Sequence, residues 1–167
     1  MAKANEEFTY FWGNGSPFSQ WHKSIFTVDG ITFNCAEQYM MYQKAVVFDD
    51  QNMATKILQT KDPGMQKKLG RQVQNFDVKV WNGKCRDIVK KGNKAKFSQN
   101  PELKKKLLAT GDTVLVEASP NDRIWGIGLS ENDARAKDKS QWQGTNWLGH
   151  ALTEVKNELR NSTKGSS

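Results

Sequence analysis

The segment from Ile25 to Ala45 constrains the fold of this chain more strongly than any other part of its sequence. Two short apolar runs, Ile25–Val28 and Ile31–Phe33, flank an Asp-Gly pair, which favours the tight turn of a β-hairpin. Asn34 follows at once and is a good N-cap residue, so a helix is predicted from there to Ala45. A hairpin that runs directly into a helix indicates an α+β fold.

The rest of the chain predicts further helices and a few short strands. The elements expected from apolar periodicity and capping residues are a strand at Phe8–Trp12, helices that begin at Asp49 or Asp50, at Asp62 and Pro63, near Asp77 and at Asn100 and Pro101, a strand at Thr113–Glu117, a strand or strand-like loop at Arg123–Leu129, and a last helix through Leu148–Leu159. We therefore expect a single helix-rich α+β domain with a small, mostly antiparallel sheet. This domain spans residues 8–160, and residues 1–7 and 161–167 are expected to be flexible termini.

Composition narrows the partners and the cellular location. The chain has 167 residues and a formal net charge of +7, which favours anionic partners unless the lysines only cover a solvated surface. It contains two cysteines, Cys35 and Cys85, two histidines, and neither an apolar leader nor a long apolar segment. We therefore expect a cytoplasmic protein with no disulfide, no membrane segment, no metal and no cofactor.

The predicted first helix carries an acid and an amine on one face. Lys44 follows Glu37 by two helical turns, so the two side chains can converge on one small volume. Glu37 can instead reach back to the amide of Asn34 and serve only as part of a capping box. Lys44 can be an ordinary solvated lysine, or it can join Met40 and Met41 on this face and act as a nucleophile. The pair is the first candidate for catalysis.

A second candidate site follows the clearest predicted strand. Asp122 offers a carboxylate, Arg123 a fork for phosphate and Trp125 a face for stacking. Gly126 and Gly128 let a ligand or another backbone segment approach closely. The alternative is an ordinary turn in which Asp122 bonds its own backbone.

Two further segments suit an anion. Lys94 and Lys96, next to Phe97, occur near the predicted end of a helix, where their charges favour an anionic ligand. Gly144–Asn146 precedes the last helix, and free backbone amides at that helix N-terminus would suit a phosphate.

Specific motifs occur in order over nearly the whole chain. They are Ser16–Trp21, Asn34–Met41 with Lys44 and Ala45, Leu69–Arg71, Gly92 and Asn93 with Lys96–Pro101, Leu107–Gly111, Val116–Pro120, Asp122–Leu129, and Leu148 with Gly149. Together these motifs resemble those of the NADAR family, also called YbiA-like N-glycosidases. The resemblance implies a YbiA-like fold and cleavage of an N-glycosidic bond between a ribose and an exocyclic base amine.

The resemblance also implies substrates and site residues. The implied substrates are small ribosylated nucleobases, such as phosphoribosylamino-pyrimidine intermediates of riboflavin synthesis, and ADP-ribose attached to guanine in nucleotides or DNA. Glu37 is expected to be the main catalytic residue, Lys44 its covalent or electrostatic partner, and Asp122 a ribose or proton-relay group. The expected substrate-binding residues are Trp12, Ser19, Trp21, Arg71, Arg86, Asn93, Lys96, Phe97, Arg123, Trp125, Gly126 and Asn146.

Two questions stay open at the level of sequence. Lys44 can form a Schiff base with the opened ribose, or Glu37 can stabilise a closed oxocarbenium-like sugar and activate water directly. The chain can also be a module that binds ADP-ribose or nucleotides without cleaving them, or a lysine-driven binder of nucleic acid, whose affinity would fall steeply with salt.

Overall fold

A computed structural model describes residues 7–13 and 15–165, with side chains described as far as Ser162. Its elements are β1 (Phe8–Phe11), β2 (Phe26–Val28), β3 (Ile31–Phe33), α1 (Ala36–Val47), α2 (Gln51–Gln59), α3 (Pro63–Gly70), α4 (Val78–Gln99), α5 (Pro101–Leu108), β4 (Val114–Glu117) and α6 (Trp147–Gly165), with two 3₁₀ turns at Ala134–Lys137 and Lys139–Gln141. The predicted helix-rich α+β class is confirmed.

The β-structure differs from the single, mostly antiparallel sheet that was predicted. In the part of the chain that the structure describes, β2 and β3 form an antiparallel pair, whereas β1 and β4 form a separate parallel pair. The β1–β4 partners are about a hundred residues apart in sequence. No local turn signal accompanies such a pairing, so the sequence pattern could not reveal it.

The described residues divide into two compact units. One consists of the chain up to Ser19 together with Lys104 onward, and the other is the continuous segment Gln20–Leu103. The termini predicted to be flexible fall mostly outside the described residues, namely residues 1–6 and 166–167. Within the described part, α6 continues to Gly165.

In the Gln20–Leu103 unit, α1 packs against α2, α3 and α4, and the β2–β3 hairpin packs against α4. The hairpin turn is built by Asp29 and Gly30, whose φ angles of 51° and 80° are those of a left-handed turn. Phe26 and Phe33 project from the hairpin and pack with Tyr39 of α1 in one buried aromatic cluster. This cluster fixes α1 relative to the hairpin that precedes it.

Three of the predicted helix starts in this unit are confirmed. Asp50 accepts a hydrogen bond from the amide of Met53, and Asp62 does the same for Met65, so these aspartates cap α2 and α3. Asp77 caps α4 in the same way. Gly92 of α4 is the point where this helix meets α1, because a Cβ there would lie 2.5 Å from the ring of Tyr39.

The start of α1 differs from the prediction. The N-cap is Cys35, whose side chain makes no capping hydrogen bond, so the assignment of Asn34 as N-cap is wrong. The reason is that the side-chain amide of Asn34 bonds other groups: it donates to the carbonyl of Lys61 and accepts from the side chain of Gln66. The backbone N–H of Asn34 donates to Gln38, 2.7 Å away, and not to Glu37.

In the other unit, α6 packs against β4. Side chains from α6 and from the residue before it bond the backbone of β4: Thr153 accepts from the amide of Leu115, and Asn146 bonds both Glu117 and Leu115. Gly149 permits this closeness, since a Cβ there would lie 2.1 Å from the carbonyl oxygen of Leu115. The predicted inward face of this helix, which includes Leu148, is buried.

Candidate active site

Glu37 lies in the first turn of α1 and is 5% exposed. Its Oε1 accepts a hydrogen bond from the indole Nε1–H of Trp21, 3.0 Å away, and its backbone N–H donates to the carbonyl of Gln20. The carboxylate is therefore held inside the structure by the segment that precedes the hairpin. Glu37 therefore does not form the predicted capping box with Asn34. Gln38 accepts the hydrogen bond from the backbone amide of Asn34 instead.

A network of buried glutamines fixes this turn of α1. Gln38 donates to the carbonyls of Ile57 and Thr60 at the end of α2. Gln66 of α3 donates to Thr60 and accepts from the thiol of Cys35. Since these buried polar groups satisfy one another, they hold the start of α1 against α2 and α3.

Lys44 lies two turns further along α1 and is half-buried. Its Nζ lies 4.6 Å from the centroid of the Phe76 ring and 6.0 Å from that of Trp81. Burial lowers the pKa of the Lys44 ammonium, the Glu37 carboxylate opposes this shift, and the Arg71 guanidinium adds to it. Lys44 is therefore neither an ordinary solvated lysine nor a structural one deep in the core.

One charge and two rings around Lys44 come from α4 and from the segment between α3 and α4. Arg71 lies just after α3, is exposed, and acts on Lys44 through its charge. Phe76 lies before α4 and Trp81 in its first turn. The structure thus brings together four of the predicted site residues, namely Trp21, Glu37, Lys44 and Arg71.

The predicted site residues of α4 are placed differently from one another. Arg86 is exposed. Asn93 is fully buried, and its amide donates to the side chain of Gln20 and to the carbonyl of Val89. Lys96 and Phe97 are fully buried, so neither presents the exposed surface that binding a phosphate or stacking on a base requires.

Lys96 has unusual surroundings for a charged group. Its Nζ lies 4.9 Å from the centroid of the Phe97 ring. Burial lowers the pKa of Lys96 to about 7, and the thiolate form of Cys35 would oppose that shift. In turn, burial raises the pKa of the Cys35 thiol to about 11.

In the other unit, the loop after β4 uses Asp122 as a turn former. Oδ1 of Asp122 accepts from the amides of Ile124 and Trp125 at 2.9 and 2.8 Å. A Cβ on Gly126 would lie 2.8 Å from the carbonyl oxygen of Glu117. Glycine is therefore needed here because the backbone of β4 approaches closely. Arg123 is exposed, and Arg123–Leu129 is a loop and not a strand.

The prediction of free amides before α6 is wrong. The backbone N–H groups of Thr145, Asn146, Trp147 and Leu148 donate to carbonyls of the Arg123–Gly126 segment. The side chain of Asn146 is also committed, because both ends of its amide bond β4. The amides of Thr145 to Leu148 are therefore not available to a phosphate.

The remaining predicted residues of this unit differ in exposure. Trp12 is 62% exposed, which leaves its ring available for stacking. Ser19 is half-buried. Trp125 is also half-buried and meets Trp147 edge to face, with 5.7 Å between ring centroids.

Sequence reasoning missed Gln38, Gln66, Phe76 and Trp81. The glutamines resemble surface residues in sequence, and only the packing of three helices shows that they are buried.

Within residues 7–13 and 15–165, no three His, Cys, Asp or Glu side chains group in a way that would hold a metal ion. None of the described helices has both the length and the apolar character needed to cross a membrane.

The NADAR domain model matches residues 10–160 of this sequence. The chain belongs to the NADAR family. This confirms the resemblance that the motifs indicated, and the match includes both compact units.

Several NADAR relatives carry informative names. The chain is 44% identical over 146 residues to N-glycosidase R617 of Acanthamoeba polyphaga mimivirus, covering 84% of this chain and 86% of the relative. It is 31% identical to N-glycosidase YbiA of Escherichia coli, covering 89% and 82% of the two chains. The NMR structure of E. coli YbiA has a TM-score of 0.78 and 27% identity over 96% of this chain and 89% of that one.

A third relative is longer than this chain. Riboflavin biosynthesis protein VVA0006 of Vibrio vulnificus is 33% identical over 80% of this chain, and the match covers 33% of VVA0006. The names of R617 and YbiA are consistent with the predicted hydrolase that acts on N-glycosyl compounds.

Proposed function

We propose that this NADAR protein is an N-glycosidase that hydrolyses the bond between a phosphoribose or ADP-ribose and an exocyclic base amine. The observation that carries this proposal is the pairing of two unusual groups on α1. Glu37 is a buried carboxylate held by Trp21, and Lys44 is a half-buried amine whose pKa is lowered by burial. A protein that only binds nucleotides has no need of this combination.

The pair suits a Schiff-base reaction. A ribosylated amine opens when the bond between C1′ and the ring oxygen breaks, the oxygen gains a proton, and C1′ becomes an imine with the base nitrogen. The neutral Lys44 amine adds to C1′, and the base leaves as its free amine once its nitrogen is protonated. Water then adds to the C1′ iminium, which returns Lys44 to an amine and releases the sugar. Glu37 would move protons in the ring opening and take one from the attacking water.

The same residues also allow a direct reaction. In that route the ring stays closed, Glu37 stabilises positive charge at C1′ and removes a proton from the attacking water, and Lys44 acts only through its charge. Borohydride reduction during turnover distinguishes the two. The Schiff-base route adds a reduced sugar mass to Lys44, whereas the direct route leaves no adduct.

The substrate classes are proposed from charge and from the names of relatives. Most of the excess positive charge lies in the Gln20–Leu103 unit, which also holds Glu37 and Lys44. Exposed Arg71 acts on Lys44 through its charge and is the strongest candidate to contact a substrate phosphate. ADP-ribosylated guanine, free or in DNA, and riboflavin intermediates are both phosphorylated, so the positive charge of this unit would attract either class. The name of VVA0006 favours testing the second class.

The test is a substrate panel with a matched pair of variants. Purified protein is incubated with ADP-ribosylated guanine nucleotide, with the same modification in DNA and with the phosphoribosylamino-pyrimidine. Glu37→Gln should lower kcat by at least about a hundredfold, because it removes the group that transfers protons. Glu102→Gln changes an exposed glutamate of α5 and is the control.

Each result of the panel has a defined meaning. No turnover of any substrate at high enzyme concentration would reject the hydrolase. Binding of ADP-ribose in calorimetry without cleavage would replace it with a binding module. Turnover that survives Glu37→Gln would leave the hydrolase standing but reject the role of Glu37.

We also propose that the protein works in the cytoplasm and that residues 8–160 act as one functional domain. Cys35 and Cys85 are both free and buried, which suits a reducing compartment. The NADAR match from residue 10 to residue 160 supports the domain limits. Fluorescent tagging and limited proteolysis, respectively, would test the two statements.

A further inference from the structure

We propose that Phe76 and Trp81 are positioning residues for Lys44, whose rings hold the Lys44 amine in the site and keep water away from it. This inference rests on the proposed function, in which Lys44 acts on C1′ of the sugar. Neither aromatic residue was predicted from the sequence to belong to the site. We include Phe76 and Trp81 because both rings lie close to Nζ of Lys44.

Phe76 is placed in a way that packing alone does not explain. The side chain is 44% exposed, in the segment between α3 and α4, although a phenylalanine usually buries more of its surface. Its ring is nevertheless fixed, because Phe48 meets it edge to face with 5.3 Å between centroids. The ring so held lies 4.6 Å from Nζ of Lys44.

Trp81 supplies the second ring from α4. It is 9% exposed and its ring centroid lies 6.0 Å from Nζ, near the limit of a cation–π contact. A lysine side chain has four rotatable bonds and loses considerable entropy when it is held in one place. Two fixed rings that contact the amine restrict that freedom before the substrate arrives.

Two charged groups act on Lys44, one from its own helix and one from the residue that follows α3. Glu37 lies on α1 itself and Arg71 lies at the end of α3, and their effects on the pKa of Lys44 oppose each other. The contribution of α4 is the uncharged ring of Trp81. The balance between amine and ammonium therefore depends on how much water reaches Nζ, which Phe76 controls from the surface.

Loss of the Phe76 ring should favour the ammonium. The ring contact stabilises the ammonium, but the hydration that the ammonium regains when water returns to the site outweighs the loss of that contact. Phe76→Ala is therefore expected to raise the pKa of Lys44. Phe76→Tyr keeps the ring and should restore wild-type behaviour.

The experiment measures the Lys44 amine directly, without substrate. Lysines are methylated reductively with ¹³C-formaldehyde, the Lys44 resonance is assigned by its loss in Lys44→Arg, and its pKa is read from an NMR titration. Phe76→Ala should raise this pKa by about one unit, which means about tenfold less neutral amine near neutral pH. Val80→Ala removes a neighbouring apolar group that is 41% exposed and should leave the pKa of Lys44 unchanged.

A second measurement uses unmethylated protein and substrate. The rate at which borohydride traps the sugar on Lys44 should fall about tenfold in Phe76→Ala, in step with the neutral amine, and recover in Phe76→Tyr. Thermal unfolding confirms that each variant folds, and Phe76→Leu replaces the alanine variant if that one does not. A Lys44 that titrates as in the wild type after the ring is lost overturns the inference. If the wild type shows no turnover, the proposed function fails, and the titration still decides the role of Phe76.

Discussion

The indole Nε1–H of Trp21 donates to Oε1 of Glu37 across 3.0 Å, so the tryptophan acts on the carboxylate itself. The Trp21 ring also lies against α3 near Gly64, which leaves it little freedom to turn away. A charge-assisted hydrogen bond from a fixed donor holds a carboxylate in one orientation, whereas a solvated carboxylate can rotate. Trp21 was predicted to bind substrate, and its contact with Glu37 suggests a positioning role instead.

Trp21→Phe separates these two roles. Phenylalanine keeps an aromatic wall but has no N–H, so Glu37 would lose its donor while stacking surface is largely retained. We expect kcat to fall about tenfold or more, since a hydrogen bond to a charged group contributes about 1.5–3 kcal/mol, and KM to change little. Steady-state kinetics on the best substrate of the panel measure both.

Trp142→Phe is the matched control for that prediction. Its indole also donates a hydrogen bond, but to the backbone carbonyl of Ala136 and not to a predicted catalytic group. This variant should lose some stability and keep the wild-type kcat. A Trp21→Phe enzyme with normal kcat and a raised KM would mean that Trp21 only contacts substrate.

Arg71 gives a prediction about the pH dependence of Lys44. Its positive charge lowers the pKa of the Lys44 ammonium, in the same direction as burial. In Arg71→Gln the pKa of Lys44 should rise, so the fraction of neutral amine at a given pH falls. The acid limb of the pH–rate profile of sugar trapping on Lys44 should therefore move to higher pH.

Lys67→Gln provides the comparison for Arg71. Lys67 is an exposed cation of α3, the helix that ends just before Arg71, so its loss changes the net charge equally. The acid limb of the pH–rate profile should shift in Arg71→Gln and stay in place in Lys67→Gln. Equal limbs in both variants would show that Arg71 does not tune Lys44, whereas a raised KM in Arg71→Gln alone would support its contact with phosphate.

The sequence predicted what local rules determine. The Asp-Gly hairpin and the aspartate caps of α2, α3 and α4 follow from backbone chemistry within a few residues. The contact of Glu37 with Trp21 crosses the whole hairpin, and the parallel pairing of β1 with β4 joins distant segments, so no short sequence pattern predicts either. For the same reason a buried Lys96 resembled a surface lysine, because only packing reveals its surroundings.

Two glycines of α4 test how closely that helix packs on α1. Gly92→Ala should lower the free energy of unfolding by about 1–3 kcal/mol, because its Cβ would lie 2.5 Å from the ring of Tyr39, which is only 2% exposed and cannot move aside. Gly83→Ala, in the same helix, meets nothing within 4 Å. It should therefore stabilise the protein by about 0.5–1 kcal/mol through helix propensity. Urea unfolding of both variants measures the difference, and a Gly92→Ala protein as stable as Gly83→Ala would contradict the packing.

Buried Lys96 should make the stability of the protein depend on pH. Burial lowers the pKa of this lysine from its ordinary value of 10.5 to about 7 in the folded protein. Between those values the unfolded chain binds one more proton at this site than the folded chain does. The contribution of Lys96 to the free energy of unfolding should therefore rise with pH in that window, by up to about 1.4 kcal/mol per pH unit.

The variant Lys96→Met isolates this contribution from other titrating groups. Methionine has a similar length and no charge, so it removes the proton and retains much of the packing. The free energy of unfolding of the wild type minus that of Lys96→Met should grow as the pH is raised from about 7 to about 9.5. Urea unfolding at several pH values in this range measures that difference. A difference that stays constant would mean that Lys96 keeps an ordinary pKa in the folded protein.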